Sequence, residues 1–82
     1  MNIPNVIRKK MQWILDSHPG KIGVDGPFAV DDGTLYVPFF DTPENEVPDI
    51  TLPFYLLRSD GIAREIIGPS DEWFALVDQI PE

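Results

Sequence analysis

Apolar residues recur at helical spacing over residues 3–17. At about 100° per residue, Ile3, Val6, Ile7, Met11, Ile14 and Leu15 fall on one side, and Asn5, Lys9, Gln12 and Asp16 fall opposite. Asn2 is suited to cap this helix, and Pro4 is tolerated in a first turn where its missing donor would have no partner anyway. Pro19-Gly20 stops the helix, since Pro19 biases His18 away from helical geometry.

Beyond residue 20 the period changes from helical to alternating. Asp32-Gly33 is a two-residue turn signal, and placing the turn there pairs Val30 with Leu35 and Phe28 with Val37. Phe28, Val30, Leu35, Val37 and Phe39 then share one face, while Tyr36, Pro38 and Phe40 look the other way. Pro38 cannot donate to a ladder, so its nitrogen must meet a sheet edge or a bulge. Residues 41–49 carry two prolines and four carboxylates and predict a polar loop. A second hairpin follows, from Ile50 to Leu57 and from Ile62 to Ile67. A three-residue Ser59-Asp60-Gly61 loop is preferred because it aligns Phe54, Leu56, Ile62 and Ile66. Pro53 again implies an edge, or a strand that starts late.

The last element is a short helix capped by Ser70, with Asp71 and Glu72 in its first turn favoured by the helix dipole. Trp73, Phe74, Leu76, Val77 and Ile80 form its expected buried stripe, Asp78 and Gln79 lie outside it, and Pro81 ends it. The expected fold is α+β in the order α-β-β-β-β-α: a two-layer sandwich of one four-stranded antiparallel sheet with both helices on one face. A strongly curled sheet or small barrel is the alternative. Residues 1–82 make a single domain, with 43% hydrophobic residues to build its core.

Charge modifies this picture. The net charge is −8, unevenly spread. Residues 1–21 hold Arg8, Lys9, Lys10 and Lys21 against Asp16, giving +3, and residues 22–82 hold two arginines against thirteen acids, giving −11. An acidic body repels phosphates and anionic lipid, which argues against nucleic acid and membrane as partners. No apolar run approaches the roughly 20 residues that span a bilayer. The absence of cysteine and of a signal-like N-terminal apolar run predicts a cytoplasmic protein.

Candidate chemistry is sparse. Serines occur only at positions 17, 59 and 70, each at a helix end or turn, and His18 is the sole histidine. None sits in a nucleophile elbow, and His18 reads as a helix C-terminal residue. Zinc lacks its usual ligands, and Asp41, Glu44, Glu46 and Asp49 do not follow a calcium-loop spacing. No phosphate-binding glycine motif exists, so no catalytic residue, metal or cofactor is expected. What remains is surface. Two helices on one face would leave Tyr36, Phe40, Tyr55 and Leu57 as an uncovered aromatic patch. The expectation is therefore a non-enzymatic protein-interaction module, homodimeric through that patch or bound to another protein. The alternatives are an acidic inhibitor or immunity-type protein that blocks a basic surface and, third, a small-molecule binder or minor enzyme with a pocket between the sheet and the C-terminal helix near Trp73.

Overall fold

A computed structural model describes residues 3–80. The chain forms α1 (Asn5–Ser17), β1 (Ile22–Val30), β2 (Gly33–Phe40), a 3-10 turn at Glu44–Glu46, β3 (Phe54–Arg58), β4 (Ala63–Ile66) and α2 (Asp71–Val77). The strands make one antiparallel meander in the order β1-β2-β3-β4 that does not close on itself, so β1 and β4 are its edges. The α+β order and the open sheet are those expected from the sequence.

Helix α1 starts two residues later than its apolar pattern, because Pro4 occupies the cap position and its carbonyl accepts the amides of Ile7 and Arg8. The proposed cap Asn2 lies outside the described residues. Thirteen residues make a marginal helix in isolation, so α1 depends on packing. Ile7, Met11 and Ile14 are fully buried, each stabilising by roughly 1.5–3 kcal/mol. Helix α2 is held by its cap, as the Ser70 hydroxyl accepts the Trp73 amide at 3.2 Å. Only Leu76 of α2 is buried, however, and Phe74 and Val77 are exposed rather than part of its inner stripe. Gln79, expected to lie clear of the packing, reaches back to accept the Asp31 amide at 2.9 Å.

The first hairpin turns through Asp31-Asp32, not Asp32-Gly33. Val30 pairs with Gly33 and Phe28 with Leu35, a slip of two residues from the expected register. Gly33 belongs to the strand: at φ 151°, an added Cβ would collide with the Leu57 carbonyl of β3. A slip of two keeps every side chain on its expected face. A bulge between Asp25 and Phe28 absorbs the remaining offset along β1. The second hairpin has the three-residue loop. The Arg58 amide donates to Ile62 O at 2.9 Å, the Gly61 amide donates to Arg58 O at 2.9 Å, and Gly61 takes φ 88°.

The helices flank the sheet, and this corrects the expected placement of both on one face. Helix α1 packs Ile7, Met11 and Ile14 onto Tyr36, Tyr55 and Ala63, with Phe40 and Leu57 at the margin. Helix α2 packs Leu76 and Trp73 onto Leu35, Phe54, Leu56 and Ile66 of the other face. Both faces of β2 and β3 are apolar, so a single covered side could not bury them all.

Candidate functional site

The four residues expected to form a free patch lie beneath α1. Tyr55 is 0% exposed, Tyr36 is 5% exposed, and Phe40 and Leu57 are half-buried. The structure does bring them together, but as core. One polar cluster fastens the helix over them: Trp13 Nε1–H donates to Glu65 Oε2 at 2.8 Å, and the Tyr55 hydroxyl donates to the same oxygen at 2.6 Å. Burial, with the Glu65 carboxylate accepting the phenolic proton, raises the Tyr55 pKa well above the ordinary tyrosine range. Arg64, one residue earlier and hence on the opposite face, makes a two-pronged pair with Glu72 of α2 at 2.9 and 3.0 Å.

Asp41, Glu44, Glu46 and Asp49 are all exposed along the connection between β2 and β3. Among the described residues, no three acids or histidines converge to hold a metal ion. His18 meets Phe40 edge-on at 5.1 Å, and no serine is near it in hydrogen-bonding terms among the described residues. No helix among the described residues is long and apolar enough to cross a membrane.

A concave feature among the described residues lies where that acidic connection joins the sheet. The β2–β3 ladder runs from Gly33↔Arg58 to Tyr36↔Tyr55 and then stops. Continuing the register sets Pro38 opposite Pro53, and neither has an amide to donate. Ser59 N–H donates to Asp32 O, which makes even-numbered residues of β2 the ones turned toward β3. Pro38 is therefore the position at which the ladder must end. Beyond it β2 continues to Phe40 against β1 alone, and a groove of about 320 Å³ opens between β2 and the incoming segment at residues 50–52. Val37 and Phe39 form one wall, Ile50 and Leu52 the other, and Phe54 and Trp73 the floor.

The floor is rigid. Trp73 stacks on Phe54 with ring centroids 4.7 Å apart and planes 13° apart, and Phe74 meets Trp73 edge-on at 5.2 Å. The pyrrole edge of Trp73 lies across Gly68, where any side chain would run into the indole. No known protein family, curated protein or solved structure matches the chain. The groove offers apolar surface, with Ile50 52% and Phe39 38% exposed, and Thr51 is the polar residue of its lining among the described residues. The connection that joins its two sides, from Phe40 to Ile50, is acidic. The four carboxylates of the 41–49 connection have no cationic partner among the described ion pairs, and the Asp41 amide donates to the Lys21 carbonyl.

Sequence reasoning missed Trp13 and Glu65; it expected a pocket near Trp73 between the sheet and the C-terminal helix, but not the opening between residues 37–40 and 50–52. The signal for covered faces was present in the unbroken apolar runs Leu35–Phe40 and Leu52–Leu57, which suit strands buried on both sides.

Proposed function

We propose that this chain is a non-enzymatic, acidic interaction module that holds a basic protein partner at the groove beside Trp73. The observation that carries this is an apolar depression with exposed Ile50 and Phe39, whose two sides are joined by the exposed acidic connection 41–49. Protein interfaces combine an apolar centre with a polar margin in this way. The −11 carried by residues 22–82 steers a basic surface toward it and makes the contact sensitive to salt. An inhibitor of a basic protein is one form of the same activity. The cysteine-free composition supports a cytoplasmic site of action.

The test is a paired capture from the native host. Wild type and Ile50→Asp, whose position is exposed enough to leave stability within about 0.5 kcal/mol, are immobilised and their bound proteins compared. A basic protein lost from the variant and released by high salt supports the proposal. A bound protein held equally by both, at low and high salt, ends it.

A further inference from the structure

Two stretches of backbone border the groove without hydrogen-bond partners. Asp41 N–H donates to Lys21 O at 2.8 Å, so the odd-numbered residues at this end of β2 face β1. The Phe40 amide and the carbonyls of Pro38 and Phe40 then face the opposite way, into the gap that opens before β3. Phe40 packs its side chain on the α1 face, and Pro38, two residues earlier in the strand, shares that face by alternation. Across the gap, Ile50, Thr51 and Leu52 make no backbone hydrogen bond among the described residues. Unpaired main chain of this kind is an edge to which a strand can add.

We infer that the occupant of the groove is an extended segment of a foreign protein, which adds as a short strand beside Phe40 and carries lysine or arginine around one large apolar side chain. The inference rests on the function proposed above and specifies its partner. In an extended segment alternate side chains point to opposite faces of the sheet, so the apolar anchor descends toward Val37, Phe54 and Trp73 while its neighbours turn to the face that carries Phe40. The connection that joins the two sides of the groove carries Asp41, Glu44, Glu46 and Asp49, all exposed and without a cationic partner among the described ion pairs, and lysine or arginine on the segment complements it. Arg58 and Arg64 offset nothing there, since Asp60 and Glu72 already pair with them. A volume of 320 Å³ lies near the lower end of the roughly 300–1,000 Å³ of ligand pockets, which suits one anchor side chain. A docked helix would satisfy none of the main-chain groups, because it uses its own.

Three short blocked peptides test this on the intact chain: lysines alternating with valine about a central phenylalanine, the same peptide with glutamate for lysine, and the lysine peptide N-methylated at its edge-facing amides. Amide NMR is the readout. The lysine peptide is expected to shift the Phe40 and Thr51 amides and slow Phe40 exchange, with affinity falling about tenfold on N-methylation and at least tenfold with glutamate. Equal binding of the N-methylated peptide overturns strand addition, and equal binding of the glutamate peptide overturns the basic partner. Concentration-dependent shifts at Phe40 without peptide would make a second copy the occupant and overturn the foreign segment. If no peptide shifts these amides while Ile50→Asp still abolishes capture, the extended segment is wrong and the groove stands; if capture is also unchanged, both fall.

Discussion

Replacing Tyr55 with phenylalanine removes one hydroxyl from the cluster that fastens α1 to the sheet, and the consequence depends on pH. The Tyr55 ring is fully buried and its hydroxyl donates to Glu65 at 2.6 Å. A hydrogen bond to a charged group contributes about 1.5–3 kcal/mol, and the half-exposed Glu65 recovers part of it by accepting from water. The loss at neutral pH is therefore about 1.5 kcal/mol, or roughly 6–12 °C in Tm for a chain this size. In alkali the sign reverses. The folded phenol has a raised pKa, so its stabilisation is fully present below about pH 10 and is lost as the unfolded phenol ionises above it. Wild type should lose about 1.4 kcal/mol per pH unit beyond that point through this residue, while Tyr55→Phe is spared. The two stability curves should cross near about pH 11. Urea unfolding followed by circular dichroism from neutral to alkaline pH measures this, and other titrating groups cancel in the difference. A gap that stays constant across that range would refute the burial and the bond to Glu65.

Further outcomes follow from the packing. Gly33→Ala places a Cβ against the Leu57 carbonyl at φ 151° and should cost about 2–3 kcal/mol, whereas Gly61→Ala at φ 88° meets open space and should cost about 1 kcal/mol; urea midpoints rank the two. Leu76→Ala, at a position 7% exposed, should lose about 2–3 kcal/mol, while Phe74→Ala, at 56% exposed, should lose under about 1 kcal/mol, again by urea unfolding. Reversal of either ranking would mean that β2 or α2 is seated differently.

Local rules carried much of the fold. The Ser70 cap, the Ser59-Asp60-Gly61 loop and the stop at Pro19-Gly20 depend on neighbours within a few residues, and each stands where the chain pattern placed it. Gly33 misled because its need for a glycine comes from β3, a contact that no local turn rule contains. The side of the sheet taken by each helix was hidden for a related reason. An amphipathic helix has an inner face but no address, and only the apolar character of both strand faces says that each must be covered. Tyr36 and Tyr55 therefore looked surplus on the assumption of one covered face, and α1 accounts for them. A pocket near Trp73 was legible, but its opening beside β2 was not, because that follows from Pro38 meeting Pro53, which requires the β2–β3 register. The charge imbalance was legible at once and still supplies the acidic connection.

The central proposal is that this domain acts by contact through the groove, and mapping a bound partner tests it most directly. Amide and indole NMR shifts recorded on addition of a captured partner should be largest at Phe39, Phe40, Ile50, Thr51 and the Trp73 side chain, and should fade as salt is raised. Shifts confined to the outer face of α1 or to the β4 edge, with those groove residues unmoved, would contradict it.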